Sequence, residues 1–137
     1  MRDDAVSLYI DLLRRCVSNL IYRDPSVPLI GEESEYPLFA AFSLERRMTG
    51  RDWPRYAHTM IGAQRLDNVR TLIEDILDNE IPGDLIETGV WRGGSTIFMR
   101  GVLKAHGVTD RTVWVADSFE GEYPAVNEHG ATEKSKN

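Results

Sequence analysis

The feature that most constrains the fold is a strand, a glycine-rich turn, a helix and a second strand in direct succession. Residues 85–88 form a short apolar run that leads into the turn. Residues 96–105 have helical spacing, and residues 112–117 are β-branched and aromatic, which is typical of a strand buried on both faces. This order predicts a βαβ unit, in which a right-handed crossover joins two parallel strands. The predicted fold class is therefore α/β.

The residues before this unit are predicted to be helical and connective, with no convincing strand. Apolar positions at helical spacing predict a first helix over about residues 4–22 and a third over about residues 60–79. Between them, residues 38–48 predict a short helix that ends at Gly50. We therefore expect a helical N-terminal region over residues 1–80, the βαβ unit over 81–121, and a polar loop or tail over 122–137.

Composition excludes several classes of partner. The chain has 16 Lys and Arg against 22 Asp and Glu, so it lacks the concentrated positive charge that nucleic acids or anionic membranes require. No apolar run approaches the roughly 20 residues that span a bilayer, and the N-terminus lacks the apolar core of a signal peptide. The single Cys16 can form no internal disulfide and is expected to be buried. We expect a cytoplasmic protein.

The glycine-rich turn carries the candidate binding site. Gly89 permits a tight turn with positive φ, and Gly93 and Gly94 are expected to present backbone N–H groups to a ligand. Ser95 is expected at or near the N-cap of the following helix. Asp117 ends the second strand, where an acidic side chain can accept hydrogen bonds from ribose hydroxyls.

The identity of the nucleotide cofactor depends on Trp91 and Glu87. A dinucleotide fingerprint needs a glycine at the position that Trp91 occupies, because the pyrophosphate passes there. Glu87 would repel a diphosphate, yet it would favour the ammonium of a methionine moiety or its bridging water. The pattern therefore favours S-adenosylmethionine, and an NAD(P)-binding fragment is the weaker alternative.

Other residues have a structural and a functional interpretation. His58 could act as a base, although no partner is visible in the sequence. Arg92 could contact the cofactor carboxylate or a substrate, or form a surface salt bridge. Trp53 and Trp114 are expected in the core, and Gly101 is expected to mark close packing of a helix on the sheet.

Four segments make a family resemblance recognisable: residues 57–62 (AHTMIG), 65–68 (RLDN), 84–94 (DLIETGVWRGG) and 113–121 (VWVADSFEG). They closely resemble the macrocin O-methyltransferase family, whose members methylate sugar hydroxyls on macrolide and aminocoumarin antibiotics. The resemblance covers about residues 8–121. It implies a class I Rossmann-like methyltransferase fold that uses S-adenosylmethionine, a small-molecule acceptor, and a homo-oligomer in which residues 1–80 serve oligomerisation and cover the cofactor.

The resemblance also implies roles for individual residues. Glu87, Gly89 and Gly93 would form the cofactor loop, together with Trp91 and Ser95, and Asp117 would bind the ribose. Thr59 and Met60 would line the methionine end of the cofactor. Ser118 and Phe119 would flank its adenine.

The resemblance implies features that this chain does not supply. Family members are much longer, and aspartates in their downstream half bind a divalent metal, usually Mg²⁺. No segment here matches that run, so no metal ligand and no catalytic residue is assigned. The acidic or metal-ligating residue types in the tail are interpreted as solvated: Glu120, Glu122, Glu128, His129 and Glu133. We expect a truncated family member, or else a non-catalytic chain that acts as an oligomerisation or cofactor-binding module.

Overall fold

The computed structural model describes residues 2–27 and 40–120, with side chains from residue 4 onward. These residues form four helices and four short strands in mixed order, which confirms the α/β class. The helices are α1 Arg2–Val17, α2 Leu44–Thr49, α3 Ala63–Asp78 and α4 Gly94–Ala105. The strands are β1 Ser26–Val27, β2 Trp53–Pro54, β3 Leu85–Thr88 and β4 Val113–Ala116. None of the helices in this part of the chain is both long and apolar enough to cross a bilayer.

The core lies between α1, α3 and α4. Each helix places apolar residues on one stripe, and the buried cluster consists of Ile10, Val17, Leu66, Ile73, Phe98, Val102 and Leu103. Gly101 lies where α4 meets α1, because a Cβ atom there would be 2.0 Å from Leu13 Cδ2. The prediction that Gly101 marks packing of a helix on the sheet is therefore wrong: it permits close packing of two helices.

Strands β3 and β4 confirm the predicted parallel βαβ unit. They pair in parallel from Leu85 opposite Val113 to Thr88 opposite Ala116, and α4 connects them and covers one face. The other face is bare among residues 2–27 and 40–120: Ile86 is 62% exposed and Trp114 is 57% exposed. The prediction of a strand buried on both faces is wrong for this part of the chain. Trp114 is not a core residue; its Nε1 donates to Asp84 Oδ2 at 2.8 Å.

The N-terminal region differs from the prediction at its helix ends. Helix α1 ends at Val17 because Asn19 has a φ of 52°, which a right-handed helix cannot continue. Helix α2 begins at Leu44, since Ser43 is extended and its Oγ accepts a hydrogen bond from Arg46 N. Its predicted end is confirmed, because Gly50 caps it in the left-handed conformation. The predicted start near residue 38 lies outside the described residues.

Three further expectations for the N-terminal region are wrong. Strands β1 and β2 form an antiparallel pair, with Ser26 opposite Pro54, where we expected no strand. Each strand has 2 residues, too few for a period-2 pattern to be visible. Cys16 is exposed, because the neighbouring Val17 takes the core-facing position on the last turn of α1. Trp53, expected in the core, is half-buried.

Candidate functional site

The turn between β3 and α4 is built from residues with left-handed backbone conformations. Gly89 has a φ of 76° and Gly93 a φ of 77°, which confirms the predicted positive φ at Gly89. Trp91 also has a positive φ, 51°, which is uncommon for a bulky residue. Gly93 is the N-cap of α4, so Ser95 is near the cap, as predicted, but does not occupy it. The turn therefore contains three residues with left-handed backbone conformations within five positions.

The backbone N–H groups of Gly93 and Gly94 do not face a ligand, contrary to the prediction. Gly93 N donates to Val90 O at 2.9 Å, and Gly94 N donates to His58 O at 2.8 Å. A Cβ atom on Gly94 would lie 2.4 Å from His58 O. Gly94 is therefore needed for close approach of the backbone at residue 58, which a local glycine pattern does not reveal.

The space for a ligand is on the outer side of the turn. A Cβ atom on Gly89 or on Gly93 would have no neighbour within 4 Å among the described residues. The first turn of α4 begins beside this open space, and the N-terminus of a helix carries a partial positive charge. Glu87, at the end of β3, accepts a hydrogen bond from the hydroxyl of Thr96 in that first turn. The sequence interpretation missed Thr96; its only signal is a hydroxyl residue directly after the glycine turn.

Asp117 lies directly after β4 and is tied to the glycine turn. Its Oδ2 accepts a hydrogen bond from Val90 N at 2.6 Å, and its Oδ1 accepts one from Phe119 N at 3.1 Å. These N–H groups, that of Val90 most strongly, lower the pKa of the exposed Asp117 carboxyl below 3.8 because they stabilise the charged form. A carboxylate with a fixed orientation therefore stands beside the open space over Gly89.

Residues 54–59 cover the other side of the turn. Arg92 Nη1 donates to the carbonyl oxygens of Pro54, Arg55 and Ala57, at 3.3, 2.7 and 3.2 Å. The guanidinium carbon of Arg92 lies 4.1 Å from the centroid of the half-buried Trp91 ring. Arg92 thus binds main-chain carbonyls, whereas the sequence suggested a cofactor or substrate contact or a surface salt bridge.

The remaining predicted residues lie on two sides of the turn. Thr59 is buried, and its Oγ1 is 3.4 Å from the Oγ of Ser95, which is also buried. Met60 follows it and is half-buried. Ser118 and Phe119 lie beyond β4, and Phe119 is 71% exposed.

Hydrogen bonds thus connect several of the predicted site residues within one region, whereas others only border it. The connected residues are Thr59 with Ser95, Glu87 with the first turn of α4, and Asp117 with the glycine turn. Met60, Ser118 and Phe119 border this region. The exposed His58 contributes its main chain, since its N donates to Val17 O at 2.8 Å. Across the described ranges 2–27 and 40–120, no three His, Cys, Asp or Glu residues are grouped so that they could hold a metal ion.

The parallel βαβ unit, the glycine turn and the acidic residue after β4 define a Rossmann-like α/β protein. The sequence profile of the Macrocin-O-methyltransferase (TylF) family matches residues 6–137. The chain belongs to the macrocin O-methyltransferase family. The match includes the segments that carry the resemblance and extends through the last residues of the chain.

Three curated relatives have similar sequences. The chain is 53% identical to "8-demethyl-8-(2,3-dimethoxy-alpha-L-rhamnosyl)-tetracenomycin-C 4'-O-methyltransferase" of Streptomyces olivaceus, over 88% of this chain and 44% of that protein. It is 52% identical to "Demethyldecarbamoylnovobiocin O-methyltransferase" of Streptomyces niveus, over 90% of this chain and 45% of that protein. It is 53% identical to "Mycinamicin III 3''-O-methyltransferase" of Micromonospora griseorubida, over 90% and 46%.

A solved structure shares the fold. The O-methyltransferase NovP superposes with a TM-score of 0.74 at 50% sequence identity, over 92% of this chain and 47% of that chain. The chain therefore spans less than half the length of each of these curated relatives and of this structural neighbour.

Proposed function

We propose that this chain is the S-adenosylmethionine-binding part of an O-methyltransferase that modifies a sugar on a natural product. The observation that carries the proposal is Asp117, a carboxylate held in one orientation by Val90 N next to the open space over Gly89 and Gly93. The three curated relatives are named as O-methyltransferases of a rhamnosyl-tetracenomycin, of demethyldecarbamoylnovobiocin and of mycinamicin III, and they support the reaction class and a small-molecule acceptor.

The proposed cofactor position follows from the polar groups around the turn. Asp117 would accept hydrogen bonds from the two ribose hydroxyls, because its charged form has free acceptor capacity on both oxygens. Glu87, Thr59, Met60 and Ser95 would surround the methionine end, and Ser118 and Phe119 would flank the adenine. When bound, S-adenosylmethionine supplies the electrophilic methyl group. Trp91 fills part of the turn, which disfavours a pyrophosphate and hence NAD(P).

Magnesium, the acceptor and the assembly belong to the same proposal. The described residues contain no group of ligands that fits Mg²⁺, so no step of the reaction is assigned to a metal here. We assign metal binding and acceptor recognition to residues of a full-length family member outside the described ranges. We further propose a cytoplasmic homo-oligomer in which residues 1–80 contribute to assembly and to covering the cofactor.

The alternative is a cofactor-binding or oligomerisation module that does not catalyse methyl transfer. One observation supports it: the two carboxylates beside the glycine turn are both engaged within the chain, Asp117 with Val90 N and Glu87 with the hydroxyl of Thr96. Incubation with labelled S-adenosylmethionine and a glycosylated acceptor separates the two functions, because only the enzyme transfers the methyl group.

The cofactor assignment is tested by isothermal titration calorimetry with S-adenosylhomocysteine and with NAD. We expect the chain to bind S-adenosylhomocysteine and not NAD. Asp117→Asn should weaken binding about tenfold or more, since an amide offers one acceptor oxygen where the ribose diol needs two. Asp110→Asn is the matched control, because Asp110 is exposed and lies before β4, at the opposite end of that strand from Asp117. Binding of NAD alone would refute the assignment.

A further inference from the structure

Residues 52–62, called here the cover segment, connect α2 to α3 and carry Thr59 and Met60. Apart from the two residues of β2, the segment has no regular secondary structure. On one side it contacts the glycine turn and α4 through Arg92 and through the hydrogen bond from Gly94 N to His58 O. Val17 O, at the end of α1, accepts hydrogen bonds from His58 N and Thr59 N. The conformation of the cover segment therefore depends on its neighbours.

The first part of the cover segment is held by a buried ion cluster centred on Arg47 of α2. Arg47 is 1% exposed. Its Nε donates to Asp52 Oδ2 at 2.7 Å, and its Nη1 donates to Asp24 Oδ1 at 2.7 Å and to Ser18 O at 2.8 Å. Asp24 in turn accepts a hydrogen bond from Tyr56 N at 2.5 Å. A buried charge keeps its partners in place because leaving any of them unpaired is costly.

The last part of the cover segment is held by a contact between two glycines. Gly50, at the end of α2, has a φ of 68°, and a Cβ atom there would lie 2.2 Å from Ile61 O. A Cβ atom on Gly62 would lie 2.2 Å from Gly50 N. The two backbones therefore touch directly, and no side chain larger than hydrogen fits between them.

We propose that Arg47 and Gly50 are positioning residues of the cofactor site. Both act through the cover segment: Arg47 fixes its start, Gly50 fixes its end, and the backbone of His58 between them contacts α4. The inference deepens the proposed function, because Thr59 and Met60 are the cofactor residues that the segment carries. Helix α2 has 6 residues. It contributes to the site by holding the cover segment at two places, through Arg47 and through Gly50.

The test compares Gly50→Ala with Gly107→Ala. Both glycines follow a helix and have left-handed φ angles, 68° and 76°, so alanine is strained at each. A Cβ atom on Gly107, however, has no neighbour within 4 Å in residues 2–27 and 40–120, whereas one on Gly50 meets the carbonyl of Ile61. Thermal unfolding measures the loss of stability that both variants share because alanine is strained at a left-handed φ. Calorimetry measures the change in affinity for S-adenosylhomocysteine.

We expect Gly50→Ala to weaken S-adenosylhomocysteine binding about tenfold, which corresponds to one displaced hydrogen bond. Gly107→Ala should stay within about twofold of the wild type. Exchange of the Gly94 amide hydrogen, measured without cofactor, should accelerate in Gly50→Ala and not in Gly107→Ala, because it reports the contact with His58 O. Equal affinities of the two variants, or unchanged exchange at Gly94, would overturn the positioning role.

A result against the proposed function can be distinguished from a result against the positioning role. If the wild type binds no S-adenosylhomocysteine, the cofactor assignment falls, and exchange at Gly94 still decides whether Gly50 positions the segment. If Gly50→Ala is too unstable for titration, Arg47→Lys tests the other attachment, because lysine keeps the charge but cannot donate to Asp24, Asp52 and Ser18 O in the same geometry. Wild-type affinity and wild-type Gly94 exchange in Arg47→Lys would contradict the proposal.

Discussion

Replacement of Arg47 by methionine should destabilise the fold more than any surface substitution. The side chain of Arg47 is 1% exposed, and those of its two partners, Asp24 and Asp52, are 4% and 1% exposed. Methionine would fill most of the volume but would leave two carboxylates buried without a counter-charge. Breaking a buried ion pair in this way costs about 3–5 kcal/mol, a large share of the roughly 5–15 kcal/mol that stabilises a typical domain.

Thermal and urea unfolding followed by circular dichroism measure this loss. For a chain of this size, about 3–5 kcal/mol corresponds to a fall in Tm of roughly 10–17 °C, with an unchanged urea m value if the unfolding remains two-state. Arg15→Met is the matched control, because Arg15 pairs with Asp11 on the surface, where the two side chains are 53% and 39% exposed. That substitution should cost no more than about 0.5 kcal/mol.

A compensated variant separates charge from packing. Arg47→Met combined with Asp24→Asn and Asp52→Asn removes all three charges, and it should recover part of the lost stability because neutral amides cost less to bury than unpaired carboxylates. A loss below about 1 kcal/mol in Arg47→Met would refute the reasoning. So would a triple variant less stable than the single one, because packing and hydrogen bonding would then outweigh the buried charges.

Three further predictions address other parts of the chain. Gly94→Ala should abolish S-adenosylhomocysteine binding and cost about 1–3 kcal/mol, because its Cβ meets the backbone oxygen of His58; Gly101→Ala should cost less, because its Cβ meets only the movable end of Leu13. The hydrogen bond from Val90 N holds the pKa of Asp117 below its ordinary value in the folded state, so the stabilisation from its charge is fully present above the unfolded pKa and is lost as the pH falls through the lower folded pKa. Binding should therefore be flat between about pH 8 and about pH 5 with respect to this group, and its carboxyl carbon should titrate below 3.8 by NMR. Cys16 is exposed, so its rates of reaction with a thiol reagent in native and in urea-unfolded protein should differ by less than about tenfold. Full protection of Cys16 in the native state would contradict the structure.

The βαβ unit could be predicted because its signals are local. Helical spacing, a glycine turn and a β-branched run each occupy a few consecutive residues, and parallel pairing of β3 with β4 follows from their connection through α4. The positive φ of Gly89 follows from the tight turn it must make. Asp117 could be placed next to the turn because the carboxyl ends of parallel strands meet at one edge of a sheet.

The remaining features depend on residues far apart in the chain. Gly94 looks like a ligand-binding glycine, yet its N–H bonds to His58 O, 36 residues earlier. Arg47 looks like a solvated residue of a polar helix, and two of its three buried partners, Asp24 and Ser18 O, lie more than twenty residues away in the chain. Trp114 lies in a segment with the composition of a buried strand. Its burial would need another element on the face of the sheet that carries Trp114, and the sequence of the strand does not show whether such an element is present.

The three hydrogen bonds of Arg92 have a kinetic consequence for cofactor exchange. They join the glycine turn to the carbonyl groups of Pro54, Arg55 and Ala57. The glycine turn and the cover segment are therefore coupled. Lifting the cover segment would break all three bonds at once, whereas no atom of residues 2–27 and 40–120 comes within 4 Å of a Cβ atom built on Gly89 or Gly93. If the cofactor binds here as proposed, it should exchange across the two glycines without the cover segment having to lift.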